Sequence, residues 1–172
     1  MIFIHIISGK SGGTKEEAIE KVDNHIKSRQ ILKVKPLKDS VECINILKKN
    51  NELILITLRP EHTTKKETEH WINKNFSDSF SKIYYSYNKV RKQEGKTKEE
   101  ICLELNVNFL IEDNMDHALD ASERGIKVLL IDSPWNKSKS LNKNITRVNS
   151  WKKILTIIES ASSHKNRLSQ KD

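Results

Sequence analysis

In the stretch NELILITLRP, residues 51–60, four consecutive aliphatic residues lead into Thr57, and the chain then turns polar at Arg59 and Pro60. A short strand that is apolar on both faces normally lies in the middle of a parallel sheet that helices cover on both sides. Ligands of such sheets bind beyond the carboxyl ends of the strands. The stretch therefore predicts a buried central strand, with Thr57, Leu58 and Arg59 placed where a binding site would lie.

Helix-like and strand-like segments alternate along the rest of the chain. Helical spacing of apolar residues and capping signals predict helices at residues 14–29, 36–50, 62–75, 97–106, 114–124 and 150–160. Short apolar or aromatic runs predict strands at residues 2–7, 53–57, 82–87, 107–111 and 126–131. This alternation predicts an α/β fold with a Rossmann-like parallel sheet sandwiched by helices. Residues 132–144 are expected to be less ordered.

Specific residues mark three of the predicted helix ends. Thr14 with Glu17, and Thr97 with Glu100, have the spacing of a capping box, in which each side chain satisfies a backbone N–H of the other residue. Gly125 stands just after a helical pattern, where a glycine commonly ends a helix.

Composition limits the class of partner. The chain has 172 residues, the size of one domain, and a net charge of +8. A positive surface attracts phosphates and polyanions in general. The basic residues are spread among Asn, Ser and Glu and are not concentrated with aromatic residues. This distribution favours a solvated, lysine-rich surface over a dedicated nucleic-acid-binding face.

The cysteines and the apolar runs indicate a cytoplasmic protein. Cys43 and Cys102 lie inside amphipathic helical patterns, without disulfide or metal-binding spacing, and are predicted to be core thiols. The apolar start of the chain has no basic region before it, unlike a signal peptide. No segment approaches the roughly 20 apolar residues of a membrane span.

Charged residues gather at the predicted carboxyl edge of the sheet. Glu112 and Asp113 follow one strand, Asp132 follows another, and Lys96 and Lys98 precede a helix near the same edge. Adjacent carboxylates raise each other's pKa unless a cation lies beside them. Their oxygens suit Mg²⁺, with Asp113 as the first candidate ligand. A helix-capping role for Glu112 and Asp113 fits the spacing equally well.

Other motifs in the sequence are weaker. Thr57 fits any strand, or its hydroxyl holds a phosphate oxygen with help from a lysine. SGKSGG, at residues 8–13, lacks the first glycine of a P-loop, because Ile4 stands at that position. The histidines have no zinc-binding spacing, and His117 stands alone in a helix, which disfavours a zinc site.

Four features follow one another within residues 12–151. They are TLRP after one strand, a lysine before the helix of KEEICLEL, the acidic pair of LIEDN, and SPWN after the next strand. In this order they resemble the haloacid dehalogenase-like (HAD) phosphohydrolases, specifically the deoxyribonucleotidase-like branch of cytosolic type C 5′-nucleotidases. The resemblance implies a HAD-like core, a Mg²⁺ cofactor and hydrolysis of a small phosphorylated substrate such as a nucleoside monophosphate.

The resemblance also implies a phosphate-binding set. Thr57 would bind the phosphoryl group, with Leu58 beside it and Arg59 at the border of the substrate pocket. Lys98, with Lys96 as the alternative, would be the phosphate-binding lysine.

The metal and the cap follow from the same resemblance. Asp113, beside Glu112, would be the Mg²⁺ ligand. Residues 12–33 would belong to a small helical cap that closes over the substrate and excludes water. The chain would then comprise a partial cap region at residues 1–35, the HAD-like core at residues 36–162 and a flexible basic tail at residues 163–172.

One motif of the family is missing from this sequence. Family members begin with an apolar strand followed by Asp-x-Asp-x-Thr, whose first aspartate attacks phosphorus and whose second acts as acid and base. Before Thr57 this chain has only Asp23 and Asp39, and both lie in helical patterns. Hydrolysis by this chain is therefore expected to be near absent, and a non-catalytic nucleotide-binding or regulatory module is the alternative function.

Two explanations of the missing motif are open. The first strand and its aspartates lie upstream of Met1, which we favour, or residues 2–7 occupy the place of that strand, with Ser8 and Ser11 near the aspartate positions. Because the first strand is central in the sheet of the family, its loss would leave buried backbone groups unpaired. We therefore expect residues 2–7 to pair there, or the isolated chain to be marginally stable.

Overall fold

The computed structural model describes residues 28–87, 94–137 and 140–168, together with positions 14, 17, 20, 21, 24 and 25. In this part of the chain helices and strands largely alternate. The helices are α1 (Ser40–Leu47), α2 (Glu61–Phe76), α3 (Lys98–Glu104), α4 (Met115–Glu123) and α5 (Trp151–Leu168). The strands are β1 (Ile54–Thr57), β2 (Lys82–Tyr85), β3 (Leu110–Glu112), β4 (Val128–Ile131) and β5 (Ile145–Val148). Short 3-10 helices lie at Gln30–Lys33 and Pro134–Asn136.

The paired strands are all parallel. β1 pairs with β2, from Ile54 beside Lys82 to Thr57 beside Tyr85. β3, β4 and β5 form a second sheet with β4 in the middle. Parallel neighbours need crossover connections, which α2 supplies between β1 and β2, and α4 between β3 and β4.

The two sheets share both of their hydrophobic cores. The core that contains residues of α1, α2 and α5 also contains Leu55 of β1 and Ile111 of β3. The core that contains residues of α3 and α4 also contains Ile56 of β1 and Leu110 of β3. Alternate residues of a strand point to opposite faces, so both sheets lie in one layer between the same two layers of helices. The α/β Rossmann-like sandwich predicted from the sequence is confirmed.

Between β1 and β3 the described residues supply no strand, and we call this space the central slot. β1 and β3 are buried at every position, and Ile56, Leu110 and Ile111 are 0 % exposed. Strands buried on both faces normally have a neighbour on each edge, because a buried backbone group left unpaired costs about 1–3 kcal/mol. Residues 2–7, which were predicted to pair here, lie outside the described residues.

Three helix ends follow the sequence prediction. The hydroxyl of Thr97 accepts the N–H of Glu100, whose carboxylate accepts the N–H of Thr97. Thr14 and Glu17 exchange the same two hydrogen bonds. Gly125 follows α4 with a φ of +85°, a left-handed conformation that glycine adopts without strain.

Two helix boundaries of the sequence prediction are wrong, and one strand was missed. α1 begins at Ser40 and not at Pro36, because Asp39 has a left-handed φ of 62° that interrupts any earlier helix. β5 was not predicted at all. α5 continues to Leu168, beyond the predicted helix end at residue 160. Within α5 the hydroxyls of Ser162 and Ser163 donate to carbonyl oxygens one turn back.

Both cysteines are buried thiols, as predicted. Cys43 lies in the core under α1 and Cys102 in the core under α3, and neither forms a disulfide. Burial raises the pKa of the Cys102 thiol to about 12, which leaves it unreactive at neutral pH. No helix in the described part of the chain is long and apolar enough to cross a membrane.

Candidate functional site

Lys98 and Glu112 form a buried ion pair at the end of β3. Lys98 is the first residue of α3, and Glu112 is the last residue of β3. The Nζ of Lys98 lies 2.6 Å from Oε2 of Glu112, and both side chains are 0 % exposed. Charges this deep are retained only when a partner offsets the cost of removing them from water. The lysine predicted to bind phosphate therefore lies directly beside the predicted acidic pair.

The second carboxylate oxygen of Glu112 organises the turn after β3. Its Oε1 accepts the N–H groups of Asp113 at 3.1 Å and Asn114 at 3.0 Å. The side chain of Asn114 then caps α4 by accepting the N–H groups of Asp116 and His117. Glu112 therefore orients the turn while Asn114 caps the helix. Since protein groups bond to both oxygens of Glu112, Asp113 is the stronger candidate ligand of the pair.

Asp113 lies in surroundings that disfavour its negative charge. Its side chain is buried, with 8 % of the residue exposed. Burial and then the charge of Glu112 raise its pKa to about 7, against the opposing effect of Lys98. A divalent cation would favour the ionised carboxylate and offset its repulsion from Glu112. Hard carboxylate oxygens of this kind fit Mg²⁺, which keeps waters and phosphate oxygens for its other positions.

Thr57 and Arg59 lie on the other side of the central slot, with partly buried Leu58 between them. The Oγ1 of Thr57 accepts the N–H of Arg59 at 3.2 Å. The carbonyl oxygen of Thr57 accepts the N–H and the hydroxyl of Ser86, which ties the end of β1 to the end of β2. The structure thus divides the predicted phosphate-binding residues between two strand ends, with the slot between them.

Lys96 differs from Lys98 in its surroundings. Its side chain is 60 % exposed and forms a salt bridge with Glu104. Of the two candidate lysines, the structure therefore places Lys98 next to Glu112 and Asp113, and Lys96 at the surface.

Asn136 connects the loop after β4 to the acidic end of β3. Its Nδ2 donates to the carbonyl oxygens of Asp113 and Ile131, each at 2.8 Å. Arg147 of β5 donates to Oδ1 of Asn136 at 2.6 Å and forms a salt bridge with Asp132 at 3.0 Å. Asp132, one of the strand-end carboxylates, is thus held by Arg147 and by Lys137. No role for Asn136 or Arg147 was predicted from the sequence, although Asn136 belongs to the SPWN motif.

A second polar cluster joins α3 and α4. One side-chain atom each from Glu99, His117 and Asp120 lies within 4.8 Å of the others. The Nδ1 of His117 is 3.4 Å from Oε1 of Glu99. Burial alone would raise the pKa of Glu99, but hydrogen bonds from His117, a backbone N–H and Thr97 lower it to about 2. His117, which stands alone in the sequence, is therefore part of a helix-to-helix contact.

A cavity in the described part of the chain lies at the opposite edge of the sheets. Its volume is about 800 Å³, and its lining includes Leu53 and Ile54 at the start of β1 and Phe109 before β3. Ligands of parallel α/β sheets bind at the carboxyl edge. The position of this cavity therefore does not mark the candidate site.

Comparisons with known proteins agree with the fold. A haloacid dehalogenase-like hydrolase from Streptococcus pneumoniae superposes with a TM-score of 0.62 at 15 % identity, covering 86 % of this chain and 72 % of that one. A nucleotidase from Clostridium acetobutylicum is 31 % identical over 157 residues, which are 91 % of this chain and 74 % of the relative. YqfW of Bacillus subtilis, provisionally named a nucleotidase, is 32 % identical over 64 % of this chain and 52 % of its own length. No protein-family model matches the sequence.

The parallel sheet between two helix layers gives the chain the fold class of the haloacid dehalogenase-like hydrolases. Within that class, the chain belongs to the nucleotidase branch.

Proposed function

We propose that this chain carries the phosphate- and metal-binding half of a magnesium-dependent nucleotidase site but not its nucleophile. The phosphate-binding residues are Thr57, Leu58, Arg59 and Lys98, and the Mg²⁺ ligand is Asp113, with Glu112 beside it. The observation that carries the proposal is the buried Lys98–Glu112 pair next to Asp113, in a chain whose relatives are named nucleotidases.

Each group has a distinct task in this proposal. Lys98 supplies a point charge for phosphoryl oxygens, and Glu112 holds it in place. Thr57 offers its hydroxyl hydrogen, because its oxygen already accepts the N–H of Arg59. Asp113 binds the metal, and Mg²⁺ when bound neutralises charge on the phosphate. The substrate class is a nucleoside monophosphate, and the cytoplasm is the expected location.

The missing nucleophile limits the expected activity. The sequence has no Asp-x-Asp-x-Thr motif, and no aspartate follows an apolar strand before Thr57. The family mechanism forms a phosphoaspartyl intermediate on the first aspartate of that motif. Hydrolysis by the chain as given is therefore expected to be near background.

A non-catalytic binding or regulatory module is the second candidate function. The observation that favours it is the combination of an intact lysine–carboxylate arrangement with the absent motif. Such a module would bind a nucleotide or phosphate without turning it over.

Two measurements on the full chain test these proposals. The first is Mg²⁺-dependent release of phosphate from deoxynucleoside monophosphates, compared with the Asp113→Ala variant. We expect release at background in both proteins; turnover that Asp113→Ala abolishes would show that another residue serves as the nucleophile. The second is the shift in melting temperature with Mg²⁺ and phosphate, which we expect Thr57→Val to reduce. No shift in the unmodified chain would contradict the half-site in both versions of the proposal.

A further inference from the structure

Arg59 and Tyr85 lie on the same face of the sheet, beneath α2. Thr57 and Tyr85 are register partners at the carboxyl ends of β1 and β2. Ile83, two residues before Tyr85, packs against the core under α2, so Tyr85 points to the same side. The Nη1 of Arg59 reaches Thr68 of α2 at 3.2 Å, which places the guanidinium beneath the same helix.

The guanidinium of Arg59 carries a charge that none of the described residues neutralises. Its one side-chain hydrogen bond goes to a neutral hydroxyl, and no carboxylate of the described chain pairs with it. Burial lowers its pKa to about 10, and Tyr85 is the group whose interaction opposes that effect. A desolvated guanidinium normally has a carboxylate or phosphate partner, because its planar donors match two oxygens of one anion.

The hydroxyl of Tyr85 is similarly unsatisfied. It is buried and has no hydrogen-bond partner within the described part of the chain. Burial, together with the charges of Glu69 and Glu61, raises the pKa of Tyr85, so the hydroxyl keeps its proton and remains a donor. These two glutamates pair with Lys65, at 4.0 and 2.7 Å, and do not compensate Arg59. A buried polar group without a partner costs about 1–3 kcal/mol, which a ligand oxygen would offset.

We propose that Arg59 and Tyr85 form a second anion-binding subsite, which receives a phosphate group other than the one held by Thr57 and Lys98. The subsite rests on the proposed function, since that function supplies the first phosphate. Arg59 follows β1 and points toward α2, whereas Lys98 pairs with Glu112 at the end of β3, so the two cations lie on opposite sides of the central slot. The fitting ligand is a nucleotide with two phosphates on different positions, or free phosphate that binds beside a monophosphate.

The test compares ligands by titration calorimetry on the full chain with Mg²⁺. The probes are a nucleoside 5′-monophosphate, the matching 3′,5′-bisphosphate and inorganic phosphate. Arg59→Lys keeps the charge but loses the planar fork, and Tyr85→Phe removes only the hydroxyl. Tyr84→Phe is the matched control, because the neighbouring Tyr84 packs against the other core.

We expect the bisphosphate to bind about tenfold or more tightly than the monophosphate, or inorganic phosphate to bind the monophosphate complex with a similar gain, as for hydrogen bonds to charged groups. Arg59→Lys and Tyr85→Phe should both remove that gain. Tyr85→Phe should leave monophosphate affinity within about threefold, and Tyr84→Phe should change neither affinity. The two probes distinguish a second phosphate of the nucleotide from free phosphate. Tyr85→Phe should not lower the melting temperature of the unliganded protein, because its hydroxyl has no partner to lose.

Two results separate the subsite from the proposed function. Phosphate binding that depends on Arg59 and Tyr85 but not on Thr57 would support the subsite and contradict the nucleotidase half-site. Equal affinity for all phosphate ligands in the unmodified chain, Arg59→Lys and Tyr85→Phe would overturn the subsite, and so would a complete lack of binding.

Discussion

At the scale of single residues, the site is decided by one buried charge pair. The sequence placed Lys98 before a helix and Glu112 at a strand end, and those positions follow from periodicity and capping. It could not show that the two side chains meet, because they come from different elements and their contact depends on how α3 packs against β3. The same limit applies to Asn136, which reaches the site from the loop after β4, and to Arg147, which reaches it from β5.

Breaking the Lys98–Glu112 pair on one side should destabilise the fold. We expect Lys98→Met to lower the free energy of unfolding by about 3–5 kcal/mol, because it leaves a buried carboxylate without a partner. Adding Glu112→Gln should recover most of that loss, since the amide keeps an oxygen acceptor for the turn. Urea unfolding measures both variants, and exposed Lys96→Met is the control with an effect within about 0.5 kcal/mol. Equal stability of the single and double variants would contradict the pairing.

Substitution of Asp113 should not lower the melting temperature of the metal-free protein, but it should remove the stabilisation by Mg²⁺. Asp113→Asn removes a charge that burial and Glu112 disfavour, so the melting temperature without metal should not fall. The same change should abolish the rise in melting temperature that Mg²⁺ produces in the unmodified chain. Glu123→Gln changes an exposed carboxylate on α4, should retain that rise and serves as the control. A full Mg²⁺ response in Asp113→Asn would exclude Asp113 as the ligand.

At the scale of elements, the sequence predicted helices and strands that have strong local patterns and missed those that do not. α3 and its cap were predicted because Thr97 and Glu100 satisfy each other within four residues. β5 was missed because only its first and last residues, Ile145 and Val148, are buried, and the strand has a neighbour on one edge alone among the described strands. The late start of α1 depends on the left-handed conformation of Asp39, which composition does not reveal.

The contact between α3 and α4 should make the free energy of unfolding depend on pH in the acidic range. The folded pKa of Glu99, about 2, lies below its ordinary value of 4.5, so the ionised carboxylate stabilises the fold above pH 4.5. That contribution is lost as the pH falls from about 4.5 toward 2. Glu99→Gln should therefore be less stable than the unmodified chain at pH 7, by on the order of 2–3 kcal/mol, and the difference should shrink across this window.

Urea unfolding at several pH values measures that difference. Glu104→Gln is the matched control, because Glu104 lies on the same helix in an exposed salt bridge worth at most about 1 kcal/mol. A difference for Glu99→Gln that stays constant from pH 7 to pH 3 would show that the contact with His117 does not hold the carboxylate in its charged form.

At the scale of the whole molecule, the described strands form two sheets, but each of the two hydrophobic cores contains residues of both sheets. Leu55 and Ile111 share one core and Ile56 and Leu110 share the other, so a side-chain layer continues across a gap in the backbone layer. The sequence predicted the sandwich from alternating elements, and the resemblance predicted a missing central strand. The sequence alone could not show which segment fills the central slot, because the pairing of distant strands depends on side-chain packing.

The occupant of the central slot can be tested with one residue from the predicted first strand. If residues 2–7 fill the slot, Ile4 is surrounded by apolar side chains, and Ile4→Asp buries a charge without a partner. We expect a loss of about 3 kcal/mol or more, equivalent to a fall of roughly 6–12 °C in melting temperature for a chain of this size. Leu103→Asp is the control, because Leu103 is 46 % exposed on α3 and should change the melting temperature by less than about 2 °C. If the slot instead takes a strand from another source, residues 2–7 stay unpaired and Ile4→Asp should match that control. Scanning calorimetry of the two variants therefore shows whether residues 2–7 fill the central slot.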